Sequence, residues 1–413
     1  QTSTEGSITI SDTNSEQDPT LVTVDGNQQA KENISVTGST LHVGVLVEDE
    51  DTETYSIEGG KQIAGGDISV INSLVEVLDS MESTDGNIQI KDGTVTVGAT
   101  DPSGVVVHAG DMTAKKDISM DHSMVNVLGG QKSSEGSISV TNGSEVYVNE
   151  DQQAHGSISV NGSELYMTDN LGTTAAITVA DSTVEVSNIK AGKGLNAENS
   201  TVTAKNTIDI QGGKSDISNS VVAAKVVNVD GVVNAGEKAL IMGHITGEGA
   251  INKTGGDALV IADADSNVAI NVQDASTLKL ANGTKVGAVD MGDAAATLQI
   301  GEANHVDTVQ AAGLALSKNT ALTLDMDMDK NTIDKVDAPV ADLDGVTLTL
   351  NAMGDESKVA DQSRVAFVSG KVTGAANEDV ISNLQTLNAY ADGNSIVFSK
   401  NFRSVASLNQ NQR

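Results

Sequence analysis

Apolar and polar residues alternate along most of this chain in short bursts of three. Ile34-Ser35-Val36 is followed by Leu41-His42-Val43, and Ile68-Ser69-Val70 by Val75-Glu76-Val77. The paired bursts recur at Ile88 and Val95, Ile118 and Val125, Ile138 and Val146, Ile158 and Leu165, and Ile177 and Val184. A period of two predicts short strands with one buried face. The first isoleucines of successive units lie 34, 20, 30, 20, 20 and 19 residues apart. The base period is therefore near 20, with insertions near 44–66 and 98–116. Turns between the bursts carry Asn72-Ser73, Asp92-Gly93, Asn142-Gly143 and Asn161-Gly162. Asn-Gly suits an antiparallel hairpin, so a single unit leaves a hairpin stack and a parallel coil both open. The near-constant period favours the coil, because it sets equivalent residues directly above one another.

Bursts at Ile208-Asp209-Ile210, Val227-Asn228-Val229, Leu240-Ile241-Met242, Leu259-Val260-Ile261, Leu278-Lys279-Leu280 and Leu298-Gln299-Ile300 keep a spacing near 20, with looser alternation. The predicted fold class is all-β: a parallel β-helix of about 20 residues per coil over 1–310, then C-terminal coils and a cap over 311–400. Neighbouring strands lie about 4.8 Å apart, so some twenty coils would give a rod roughly 95 Å long. Composition agrees with small β-branched side chains filling the interior. The 413 residues include 41 Gly, 3 Pro, 3 Phe, 4 Tyr and no Trp. All three Phe fall beyond residue 360, where a cap must cover the last open strand edges.

Charge narrows the partners. Twenty-four basic residues against 57 acidic ones leave a net charge of −33. Such a surface is unsuited to nucleic-acid phosphates or anionic lipid. Without Cys there is no disulfide and no thiolate metal site. No apolar run is long enough to insert in a bilayer as a helix.

Several groups are candidates for chemistry. Asp325, Asp327 and Asp329 alternate and so share one strand side, as a calcium site or a lyase carboxylate cluster would. The plainer reading is a solvated outer face opposite Leu322, Leu324, Met326 and Met328. The acidic run Glu48, Asp49, Glu50 and Asp51 offers oxygens for calcium, or simply a solvated loop. No cofactor is expected, with calcium the one ion considered. The six His form no metal-binding pair, and no nucleophile elbow occurs. The outward positions are more informative. Ser35, Ser69, Ser119, Ser139, Ser159 and Thr178 should form one hydroxyl column, interrupted by Gln89. His42, Glu76, Thr96, Asn126, Tyr147, Tyr166 and Glu185 should form the next. Tyr147 and Tyr166 thus become neighbours, either as a contact surface for sugar or protein or as cross-strand packing.

The repeated Ile-Ser-Val coils, together with Leu322-Thr323-Leu324-Asp325-Met326-Asp327 and Ile333-Asp334-Lys335-Val336, resemble the passenger domain of a Gram-negative type V autotransporter. The resemblance implies right-handed winding and an autochaperone-like C-terminal region. It implies export by a signal peptide to the cell surface or medium. It also implies that the start at Gln1 is a processed end, and that 401–413 opens the linker to a translocator barrel in the precursor. The protease domain that some passengers carry is not expected, because the coils start within the first 40 residues. The expected role is a non-catalytic, adhesive or self-associating one through the lateral face of the rod. Its partners are the same protein on neighbouring cells, or a host glycan or protein. The binding candidates are Tyr147, Tyr166, His42, Glu76, Asn126 and Glu185. The alternatives are a β-helical polysaccharide lyase or glycoside hydrolase, and an inert stalk.

Overall fold

The computed structural model describes residues 1–12, 19–49, 51–52 and 54–400. The fold is a right-handed parallel β-helix. Contacts divide it into two compact units, residues 1–215 with 220–224, and 216–219 with the residues from 225 on. Helix among the described residues is limited to one 3-10 turn, Glu356–Lys358.

In the first unit each coil up to residue 173 contributes three strands, one more than the periodicity predicts, and beyond it the second and third merge, as in Thr183–Ala191 and Thr201–Ile210. The first sheet runs from Ile8–Ser11 through Ile34–Thr37, Ile68–Ile71 and Ile88–Lys91 to Leu195–Glu198. All pairings are parallel and in register, with Ile34, Ile68, Ile88, Ile118 and Ile138 opposite one another in turn. The second sheet stacks Ser39–Val43, Leu74–Val77, Thr94–Val97, Met124–Val127, Glu145–Val148 and Glu164–Met167 in the same way. The third consists of three-residue strands such as Gln28–Ala30, Gln62–Ala64 and Gln131–Ser133. Its inward residues include glutamine, which is why an apolar count misses it. Buried Gln62 donates from Nε2 to Gln28 Oε1 at 2.7 Å, and Gln152 donates to Gln131. Ile118, Met120, Val125 and Val127 show how completely the other two sheets bury their inner faces, at 0% exposure.

The corner between the first and second sheets explains the Asn-Gly signals. Asn72, Asp92, His122, Asn142, Asp181 and Asn199 all hold positive φ there, between 48° and 58°. A left-handed residue, or two in succession at Asn142-Gly143, bends the chain from one sheet into the next rather than reversing it. A buried serine follows. The Ser123 amide donates to Ser144 Oγ at 3.1 Å, that of Ser144 to Ser163 Oγ at 3.2 Å, and that of Ser163 to Ser182 Oγ at 3.0 Å. Each of these hydroxyls donates in turn to a carbonyl of its own corner. The corner thus satisfies backbone groups that the strands leave over.

Two antiparallel hairpins leave the stack between the second and third sheets. Val45–Asp49 pairs with Thr54–Glu58, and Ala99–Thr100 with Val106–His108. Glycine roots them: a Cβ on Gly98, where φ is +103°, would stand 2.8 Å from the His108 carbonyl oxygen.

In the second unit, Val232–Ala235, Ala250–Lys253, Ala269–Val272, Lys285–Asp290 and Thr308–Ala315 form one parallel sheet. Leu259–Ile261, Thr277–Leu280, Thr297–Ile300, Ala321–Asp327 and Thr347–Met353 form another. Inward Lys253 is buried, its Nζ donating to the carbonyls of Gly236 and Thr254 and to Asp257 Oδ1 at 2.6 Å. The described chain ends on an antiparallel sheet in which Ser363–Ala366 and Asn388–Asp392 flank Ser395–Ser399. Phe367 and Phe398 fill it. The proposed linker at 401–413 lies outside the described residues.

Candidate functional site

The second sheet of the first unit presents its outward residues as one column. His42 stands opposite Glu76, Glu76 opposite Thr96, Thr96 opposite Asn126, and Asn126 opposite Tyr147. Tyr147 is followed by Tyr166 and then Glu185. All six candidate binding residues therefore lie on one strip, because a period of two within a strand and a register of one coil between strands determine it. His42 Nδ1 lies 2.5 Å from Glu76 Oε2. The rings of Tyr147 and Tyr166 stack with centroids 5.2 Å apart and planes inclined by 17°. Each ring covers one face of the other, with Asn126 next to Tyr147 and Glu185 next to Tyr166 along the column, and Tyr147 is exposed.

Glu145 and Glu164, in register at the start of their strands, form an acidic rim two residues from the rings. Sequence reasoning passed over them, although they precede each tyrosine at the same interval. The Tyr166 hydroxyl donates to Glu164 Oε2 at 2.8 Å. That bond, with partial burial and the nearby Glu185 charge, pushes the phenol up to about 12, so it remains a hydrogen-bond donor. A shallow hollow of about 430 Å³ beside the rings is lined by Thr168, Glu185, Ser187 and Lys205. The strip thus combines aromatic edges, carboxylates and hydroxyls on a rigid, shallow surface.

The carboxylates considered for calcium are engaged separately. Asp325 accepts from Asn351 Nδ2 at 2.9 Å and from the His305 amide at 3.3 Å. Asp327 is paired with Lys330 at 2.7 Å and Asp329 with Lys358 at 3.0 Å. Lys330 holds the Asp327 carboxyl below the usual carboxylate range, and the Asp355 amide followed by Lys358 does the same for Asp329. Asp325 is buried, in contrast to the solvated outer face expected for it, because His305 and Asn351 fold over it. In the first hairpin Glu48 and Asp51 are exposed, and Asp49 caps the turn by accepting the amides of Asp51 and Thr52. Glu50 lies outside the described residues. Among the described residues no three acidic or imidazole groups are arranged to hold a metal ion.

The second unit also holds a buried acidic clasp that sequence patterning did not reveal. Asp334 accepts the Asp307 amide on one oxygen and the Asp325 amide on the other, both at 2.7 Å. Asp307 accepts the Glu302 amide and meets His305 Nδ1 at 2.7 Å. Burial is the main force raising the Asp334 carboxyl to about 7. The charges of Asp325 and Asp307 add to it against the two amide bonds. The chain matches no family model and no curated protein sequence.

Proposed function

We propose that this chain is a β-helical autotransporter passenger, displayed on or released from a Gram-negative cell. In this reading it acts as a non-catalytic adhesin that associates laterally with copies of itself. The observation that carries it is the second-sheet strip, where polar and aromatic side chains stand in one unbroken column from His42 to Glu185. A column repeated at the strand spacing can meet another copy along many weak contacts at once. Such contacts add through multivalency rather than through a deep pocket. The antiparallel sheet at the end of the described chain fits a cap that templates folding of the coils during export. Sedimentation velocity over a concentration series at physiological salt tests the reading. Reversible growth in size is expected, with roughly tenfold weaker association in the Tyr147→Ala/Tyr166→Ala variant, the scale of one aromatic pair. A monomer at every concentration would overturn it.

A further inference from the structure

The outward column of the first sheet differs from the strip just described. Ser35, Ser69, Ser119 and Ser139 stand in register with Gln89 between them, half-buried or exposed. None of these side chains has a hydrogen-bond partner among the described residues. The corner serines, by contrast, are fully bonded. Beside the column runs a second one of Asn33, Asp67, Asn87 and Asp117. Each passes a side-chain oxygen to the amide of the next coil, as Asn33 does to Asp67 at 2.7 Å and Asp67 to Asn87 at 2.7 Å. The two columns bound a furrow of about 670 Å³ that crosses five coils. From first rung to fifth it spans roughly 19 Å at the strand spacing.

We propose that this furrow binds an extended, unbranched, uncharged β-linked polysaccharide, one sugar residue per coil. Three features select that occupant. The free groups are hydroxyls and an amide, which pair with sugar hydroxyls as both donor and acceptor. Their repeat of about 4.8 Å is within roughly a tenth of the rise of one ring in an extended β-1,4-linked chain, so the two drift by less than half a ring over five coils. An extended peptide advances about 3.3 Å per residue, so its side chains fall out of step within a few rungs. Finally, Asp67 and Asp117 line the furrow without a lysine or arginine, which excludes acidic polysaccharides and nucleic acid. The assignment rests on the adhesive reading and gives it a ligand class, on a sheet other than the one assigned to lateral association.

Native affinity electrophoresis tests it, with the full chain run through gels cast with soluble hydroxyethyl cellulose, a neutral unbranched β-1,4-glucan, or with polygalacturonate. Retardation is expected in the glucan gel alone. Ser69→Val with Ser119→Val fills the furrow and removes two hydroxyls. Valine suits an outward strand position, so the fold should survive. The variant should lose roughly tenfold in apparent glucan affinity, the scale of about two net hydrogen bonds. Gln89→Ala, which only removes atoms, should weaken binding in the same direction. Both variants should keep the concentration dependence seen in sedimentation. An unretarded wild type that still self-associates would overturn the furrow and leave the adhesive reading standing. Equal retardation by polygalacturonate, or full retention by both variants, would overturn it as well.

Discussion

At the scale of single residues, the buried polar groups decide more than the isoleucines. Ser163 Oγ accepts the Ser144 amide and donates to the Asn161 carbonyl. Ser163→Ala leaves the buried Ser144 amide unpartnered, while the Asn161 carbonyl keeps the Asn142 amide, which costs about 1–3 kcal/mol, whereas the outward Ser159→Ala should be close to neutral. Chemical denaturation of the two variants measures the difference. Asp334 makes a prediction of the opposite kind. Its carboxyl titrates near 7 in the fold and near 3.8 when unfolded. The fold therefore holds the proton more tightly. The stability it contributes is fully present below about pH 4 and is lost as pH rises through about 7, on the order of 4 kcal/mol at most. His305, raised chiefly by its bond to Asp307, acts in the same sense at somewhat higher pH. Asp334→Asn should flatten the fall in stability between pH 4 and 7. The slope is the readout, since the amide also disturbs one of the two backbone bonds at every pH. An unchanged slope would show that Asp334 keeps an ordinary carboxyl.

At the scale of elements, the two hairpins are joined through one carboxylate. Asp79 Oδ1 lies 3.1 Å from His108 Nε2, at the end of the second hairpin, and Asp79 Oδ2 lies 3.9 Å from Lys61 Nζ, just beyond the first. Asp79→Asn should speed amide exchange across 99–108 by about fivefold, the scale of a partly exposed ion pair, and leave the coils unchanged. Equal protection in the variant would show that the glycine roots alone hold the hairpin. Elements also show what the sequence made legible. The first two sheets were readable because Ile-x-Val and Val-x-Val keep a strict period of two on a constant register. The same arithmetic placed Tyr147 beside Tyr166. The third sheet was not readable, since Gln28, Gln62, Gln131 and Gln152 point inward. Asn142-Gly143 and Asn161-Gly162 carry the strongest hairpin signal in the chain, yet they sit at corners of the coil. The hairpins use other turns, such as the one in which Asp101 accepts the amides of Ser103 and Val105. The Asp307, Asp325 and Asp334 clasp was hidden because a buried carboxylate is recognisable only from the backbone amides around it, and those are set by the fold.

At the scale of the whole molecule, charge controls any association between copies. A net charge of −33 repels a second copy at long range. The second-sheet strip offsets little of it, since Glu76, Glu145, Glu164 and Glu185 outweigh Lys205 there and His42 is already engaged by Glu76. Attraction between copies must then come from short-range contacts such as stacked rings, hydroxyls and amides, which salt scarcely affects. Repulsion reaches about 30 Å at 0.01 M ionic strength and about 8 Å at 0.15 M. Lateral association should therefore strengthen steadily from low to physiological sodium chloride and level off once the screening length falls below the separation of the surfaces. Replacing the sodium salt by calcium at matched ionic strength separates screening from bridging. No three acidic or imidazole groups among the described residues are arranged to hold a metal ion, so screening alone should account for the effect, and the two salts should give the same curve. A further rise with calcium would place a bridging ion between carboxylates of different copies. Association that weakens with salt would mean that opposite charges meet across the interface, and would move it away from this strip.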